Sequence, residues 1–376
     1  MYTMLIGSDL VPTETNYDIF AAGDVHQLAG EALLAELQSA DFRIFNLETP
    51  LTDTACPIAK CGPNLITPTR TLPGIKAFAP SLLALANNHI LDEGAQGLAS
   101  TMRLLKENDL PFIGAGHNLS EAQQPYIFEA EGKKIGIYNC AEHEFTIAEA
   151  DKPGANPFDW LDSPDHIAAL KNECDFVVVL YHGGKEHYRY PSPLLQKVCR
   201  KIADKGADLV VCQHSHCVGC MERYHDSVLV YGQGNFLFDD SDSEFWQTSL
   251  LVKVSFGRKT DVSFLPLCKR GNTVRLAEGN EAEQIMSGFE ERSNEIRQPD
   301  KIAQLYRAFC MEHKDWYLYA LAGGEANLGI PFTDFKPQYN QDSLLMMINY
   351  LTCEPHRELA TTVVKALAAA SNKKLK

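Results

Sequence analysis

Between residue 19 and about residue 235, short apolar runs alternate with amphipathic stretches, and each apolar run ends in a polar cluster. Residues 19–22 run into Gly23-Asp24-Val25-His26, and residues 43–45 into Asn46-Leu47-Glu48. Residues 82–86 run into Asn87-Asn88-His89, and residues 176–180 into Tyr181-His182-Gly183-Gly184. Residues 209–212 lead to Gln213-His214-Ser215-His216, and residues 228–231 to Gly232-Gln233-Gly234-Asn235. The runs are short and do not alternate, which predicts strands buried on both faces. Helices are predicted between them, at 94–108 and 193–205, each closing near a Gly, Asn or Pro. This is the pattern of an α/β sheet, whose functional loops gather at the carboxyl ends of the strands.

Two hairpins interrupt the alternation. One pairs 126–130 with 134–139 around Glu131-Gly132-Lys133, and the other pairs 248–256 with 262–267 around Gly257-Arg258-Lys259-Thr260. A mixed sheet or two facing sheets follows. Beyond residue 275 the pattern turns helical, at 281–296, 300–322, 343–351 and 357–370. Ile302, Leu305, Tyr306 and Phe309 form one apolar face. The division predicted is a domain of residues 1–275 and a helical extension of residues 276–376. The extension packs on the core or on a second subunit, giving a homo-oligomer, or else lies over the site as a lid. Residues 371–376 are expected to fray.

Composition narrows the partners. The chain has 376 residues, 45% of them apolar and 22% charged, which fits a globular protein. The formal net charge of -15 excludes the basic stripe of a nucleic-acid surface and a polybasic membrane patch. A surplus of carboxylates is compatible with bound cations. No leader and no bilayer-length apolar segment is seen. The 11 cysteines are an odd number in a chain too large to need disulfide staples, so a cytoplasmic location is expected.

A single His at a strand end is more often structural than functional; the number and chemistry of the set carry the inference. In extended chain, residues two apart point the same way, so Asp24 and His26 could reach one cation. Asn46 and Glu48 share a side, as do His214 and His216. Asn88, His89 and His182 follow other strands. Carboxylate, amide and imidazole donors without clustered thiolates suit Mn, Fe, Zn or Mg. Two such divalent ions about 4 Å apart share a bridging carboxylate and supply hydrolytic chemistry. Some neighbours have ordinary alternatives. Asp92 could cap the helix that starts near Gly94. Glu186 and His187, like Glu142, His143 and Glu144, could contact substrate or form solvated turns. Cys217-x-x-Cys220 lacks a second pair of ligands for a structural zinc. Gly114-Ala115-Gly116 is too short for a dinucleotide fingerprint.

Several motifs occur in one order: Asn46-Leu47-Glu48-Thr49-Pro50-Leu51-Thr52, Asn87-Asn88-His89-x-x-Asp92-x-Gly94, His182-Gly183-Gly184-Lys185-Glu186-His187, Gln213-His214-Ser215-His216 and Gly232-Gln233-Gly234-Asn235. Together they resemble the PGA-cap family of capsule synthesis proteins, over about residues 19–240. That family is similar to calcineurin-like metallophosphoesterases. The resemblance implies a four-layer α/β/β/α sandwich with a dinuclear site of Mn, Fe or Zn. It implies Asp24, His26, Glu48, Asn88, His182, His214 and His216 as metal ligands, with His89 as the catalytic acid. Asn46, Asp92, Glu186, His187 and Asn235 would contact substrate. Glu48 stands where those enzymes usually have an Asp, and Gln213 where they have a Gly.

Three functions remain open at this point. The first is a metal-dependent phosphoester hydrolase acting on a small molecule or polymer with an anionic group. The second is amide cleavage or transfer on poly-γ-glutamate or another envelope polymer, with Lys60, Lys185 and Arg189 as local positive charge. The third is a non-catalytic assembly partner in capsule synthesis.

Overall fold

The computed structural model describes residues 2–239, 241–257 and 260–372. Its first strand precedes every predicted one. β1 (Tyr2–Val11) is buried from Met4 onward, whereas residues 19–22, read above as a strand, belong to helix α1 (Tyr17–Ala22). A four-residue apolar run cannot be told from a buried helical turn by pattern alone. Gly23, at φ 67°, closes that helix in the left-handed conformation.

The next strands are β2 (Phe42–Leu47), β3 (Leu82–Ala84), β4 (Phe112–Ile113) and β5 (Ala115–Gly116). They are followed by β6 (Tyr126–Ala130), β7 (Lys133–Ala141), β8 (Gly154–Ala155), β9 (Phe176–His182) and β10 (Leu209–Gln213). The last are β11 (Met221–Tyr224), β12 (Ser227–Val230), β13 (Leu237–Phe238), β14 (Thr248–Phe256), β15 (Asp261–Arg270) and β16 (Thr273–Leu276). One sheet runs β16-β15-β14-β1-β2-β3-β4, with β13 also on β1; the other runs β11-β12-β10-β9-β7-β6. Strands β1 to β4 are parallel to one another, as are β7, β9, β10 and β12. Both predicted hairpins are present, as β6–β7 and β14–β15. Glu131 (φ 52°) and Gly132 (φ 70°) make the first turn; Arg258 and Lys259 of the second lie outside the described residues.

The alternation of faces along each strand explains why the runs looked unbroken. Met4, Ile6 and Ile44 meet Ile137, Val178 and Val211 between the sheets. Leu5, Phe45 and Leu83 face the other way, toward α1, α2 (Val25–Ala29), α3 (Glu31–Ser39), α4 (Leu72–Ala77) and α5 (Gly94–Glu107). The short α6 (Leu119–Ala122) packs beside β5 and β8. Val177, Val179 and Val210 pack against α7 (Asp162–Glu173) and α8 (Pro193–Asp204). The layers are therefore α/β/β/α.

A first compact unit extends to Tyr306. It includes α9 (Gly279–Glu295), whose Ile285 and Phe289 join Leu250 and Cys268, and the start of α10 (Lys301–Glu312), whose Ile302 is buried. The predicted helix over 300–322 is two helices, α10 and α11 (Lys314–Leu321), with His313 between them. The second unit, Arg307–Lys376, continues with α12 (Gly324–Leu328), α13 (Gln341–Thr352) and α14 (Glu354–Asn372). Within it Trp316, Tyr319, Phe332 and Phe335 cluster, and Tyr319 donates to the Ile330 carbonyl at 2.8 Å. Of the tail expected to fray, residues 373–376 lie outside the described residues. Among the described residues no helix is long and apolar enough to cross a membrane.

Candidate metal centre

The carboxyl ends of the parallel strands from both sheets meet at one place. Within β1 the register to β2 shifts between Ile6 and Asp9. Gly7 permits the close packing there: a Cβ on it would stand 2.5 Å from the Phe45 ring. Such an irregularity re-aims the residues beyond it, and Asp9 ends up fully buried beside Asn46. Glu48 follows β2, Asn88 and His89 follow β3, His182 ends β9, and His214 and His216 follow β10.

The donors converge on His182 and Glu48. His182 Nε2 lies 2.9 Å from Asn88 Oδ1, 3.1 Å from His214 Nδ1 and 3.2 Å from Glu48 Oε1. Glu48, His214 and His216 each offer a donor atom within 4.8 Å of the others, and all three are buried. His216 Nδ1 lies 3.4 Å from Asp9 Oδ2 and 2.8 Å from Asn235 Oδ1. Asn46 donates to Asp9 at 2.7 Å and accepts from Asn87, which ties the first two strand ends to the third.

This cluster is electrostatically unfinished. Neither oxygen of Glu48 makes a hydrogen bond, although both are buried; the 3.2 Å approach of His182 lacks hydrogen-bond geometry. Asp9 Oδ2 and Asn235 Nδ2 are likewise buried without a hydrogen-bond partner. Orphaned buried carboxylate oxygens are costly unless a cation satisfies them. Desolvation, and then the charge of Asp9, push the Glu48 carboxyl well up. Burial also acts to raise Asp9, but the approach of His216, 3.4 Å away, outweighs it and holds Asp9 at about 2. Burial works against protonation of His216, yet Asp9 and Glu48 lift it to about 9. Burial depresses His182 to about 4 and takes His214 well below its ordinary value. The neutral His182 and His214 imidazoles, with His216 once its proton is displaced, and the unpartnered carboxylate oxygens are a donor set that fits divalent cations.

A second buried group adjoins it and is complete. His89 Nδ1 lies 2.5 Å from Asp92 Oδ2, and Lys60 Nζ lies 2.6 Å from Asp92 Oδ1. The Leu65 amide also donates to Asp92, at 2.7 Å. Asp92 therefore orients His89 and caps nothing: the residue at the start of α5 is Glu93, with no side-chain cap. Lys60, whose side chain is only 2% exposed, also donates to the Asn88 carbonyl at 3.4 Å.

Two residues expected as ligands do not join the cluster. Asp24 caps α2, accepting from the Gln27 amide at 3.0 Å. His26 sits on the surface, 63% exposed, 2.7 Å from Glu31. Both follow from the misread strand at 19–22: the segment is helix, so its end is not a sheet edge. Asp9 occupies the place assigned to Asp24. An acid closing the apolar run at residues 4–6 was the available signal.

The rim is partly as expected. Glu186 and Glu144 approach His214 Nε2 at 3.9 and 4.0 Å, and Glu144 accepts from Asn88 at 3.4 Å. His187 accepts from Trp246 Nε1 at 2.9 Å, and Trp246 lies over His216 with ring centroids 4.8 Å apart. His187, His214 and His216 have φ of 57°, 90° and 52°. Non-glycine residues held there store strain, as sites often do. Glu142 turns away: it accepts from the Gly184 amide at 3.0 Å, and burial raises it to about 7. Cys217 and Cys220 are buried; burial lifts the Cys217 thiol to about 11 and that of Cys220 further.

The family model described as bacterial capsule synthesis protein PGA_cap matches residues 4–240. The chain is 31% identical over 175 residues to the capsule biosynthesis protein CapA of Bacillus anthracis, covering 45% of this chain and 43% of that protein. It is 32% identical over 166 residues to the PGA biosynthesis protein CapA of Bacillus subtilis, covering 42% and 43%. The match thus spans less than half the length of these curated relatives. Among solved structures, a novel phosphatase of Mycoplasma pneumoniae is similar with a TM-score of 0.41 and 16% identity, over 70% of this chain and 93% of that chain. A likeness that slight decides nothing about activity.

Proposed function

The chain belongs to the PGA_cap family of bacterial capsule synthesis proteins, and on that premise we propose that it is a metal-dependent phosphoester hydrolase. The observation that carries the reading is the unpaired Glu48 carboxylate, buried among His182, His214 and His216. Glu48, Asn88, His182 and His214 would hold one divalent ion; Asp9, Glu48 and His216 would hold a second, with Mn, Fe or Zn the suitable elements. When bound, such ions supply Lewis-acid polarisation of a phosphoryl oxygen and acidify water.

The chain's own residues do the rest. Asp92 fixes the His89 ring through Nδ1, leaving Nε2 to give a proton to the departing oxygen. Lys60 offsets the Asp92 charge. Asn46 and Asn235 hold Asp9 and His216 in place. Residues 1–275 contain every donor and are assigned the reaction. Of the extension of residues 276–376, the helices beyond Tyr306 are assigned to self-association. Eleven free thiols support a cytoplasmic setting.

The relatives' names favour a second reading, in which the same centre cuts or transfers an amide of a polyglutamate chain. Glu144 and Glu186 at the rim work against a polycarboxylate. The experiment that separates the readings is turnover by protein saturated with Mn, on a panel of phosphoesters and on poly-γ-glutamate. Phosphoester cleavage lost in Glu48→Ala supports the proposal. Polymer cleavage alone selects the amide reading. Turnover of neither by fully metallated protein leaves an assembly role.

A further inference from the structure

A cleft of about 280 Å³ opens on the helical side of the second sheet, lined by residues that are not donors of the metal centre. Its wall is aromatic. Phe158 is buried and packs on Tyr181 with ring centroids 5.3 Å apart, and Trp160 stands edge-on to Phe158 at 5.7 Å. Trp160 is nevertheless 55% exposed, as is Leu194 at 56%. A large aromatic left half in water at the mouth of a cleft is a ready contact surface. The polar side of the cleft is Glu142, His143, Lys185 and Ser192.

Chain connectivity joins the cleft to the donor cluster. Glu142 and Lys185 line the cleft, while Glu144 and Glu186, two residues and one residue further on, approach His214. The 142–144 and 185–186 segments thus run from the cleft to the rim of the donor cluster.

We infer that this cleft is a subsite for a sugar ring, and hence that the phosphoester cut at the donor cluster is a glycosyl one. The second half of the inference rests on the hydrolase reading; the first does not. A pyranose has an apolar C–H face for Trp160 and Phe158 and a hydroxyl edge for Glu142 and Lys185. A purely aliphatic group would leave both polar side chains unmatched. A bare phosphate would find Lys185 but leave the aromatic wall unused.

The test is a titration of the full chain with methyl α-D-glucopyranoside, followed by the indole N–H resonances of Trp160, Trp246 and Trp316 and the methyl resonances of Leu194. Saturable shifts at Trp160 and Leu194 in the millimolar range are expected, with Trp316 unmoved. In Trp160→Ala the Leu194 shifts should need about fivefold to tenfold more sugar, with the other two indoles in place to report an intact fold. No saturable shift at Trp160, equal affinity in Trp160→Ala, or shifts with adenosine but not with the glucoside would each overturn the sugar subsite. The titration involves no turnover. A protein that binds the glucoside but cleaves no phosphoester contradicts the hydrolase reading alone. One that cleaves phosphoesters but ignores the glucoside contradicts the subsite alone.

Discussion

Two buried acids, Asp92 and Glu48, lie near each other and are treated in opposite ways. Asp92 has a lysine, a histidine and a backbone amide on its two oxygens. Glu48 has no hydrogen bond on either. Both side chains are fully buried, so burial alone does not distinguish them. Asp92 is complete within the polypeptide, and its role is to hold His89. On the proposed reading Glu48 is completed by a cation, held together with the imidazoles around it. A fold keeps an unpaired buried carboxylate when function requires it.

The strongest way to break this contrast is Asp92→Ala. It leaves Lys60 buried without its carboxylate, and the loss of one partner of a buried pair costs about 3–5 kcal/mol. Chemical denaturation should show that loss with or without metal. Glu48→Gln removes no hydrogen bond and only the charge that Glu48 shares with Asp9 toward His216, so the metal-free variant should lose far less stability than Asp92→Ala.

Metal addition should separate the two acids next. A cation at about a hundred times its Kd adds about 2.7 kcal/mol, so saturating Mn should raise the melting temperature of the parent and of Asp92→Asn, and that of Glu48→Gln much less. A rise of equal size in Glu48→Gln would contradict the assignment.

Protonation sharpens the contrast at a smaller scale. His216 is raised to about 9, so in metal-free protein its contribution is fully present below about 6.5 and is lost as pH rises through about 9. Metal must displace that proton, and uptake at a pH between these limits should release up to about one proton per chain from His216. Calorimetry in buffers of different ionisation enthalpy reads it. His182, depressed to about 4, has the opposite sign. The folded protein binds fewer protons than the unfolded chain between about 6.5 and 4, so its contribution falls as pH drops through that window. The smallest effects belong to the surface pair. Asp24→Ala should cost about 1 kcal/mol through the lost cap, His26→Ala less, and neither should change bound metal.

Much of this arrangement was legible in the chain. Glu48, Asn88, His182, His214 and His216 each follow a run whose two faces are both buried, and such runs are easy to see. Asp9 is the weaker signal because Gly7 and Ser8 separate it from the apolar run at residues 4–6, at the point where the register to β2 shifts. Asp24 drew the assignment because a Gly-Asp pair after four apolar residues looks the same at a helix end as at a strand end. Lys60 was named only as local positive charge, because it reaches Asp92 from a loop, where no periodicity announces a contact.

The central claim is that the Glu48 cluster, and not the Asp24 pair, binds divalent metal. Its most direct measurement is the metal content of the parent, Asp24→Ala and Glu48→Gln after loading with Mn and exhaustive desalting, read by elemental analysis. The account predicts two ions per chain in the parent and in Asp24→Ala, and a clear deficit in Glu48→Gln. Retention of both ions in Glu48→Gln, or their loss in Asp24→Ala, would contradict it.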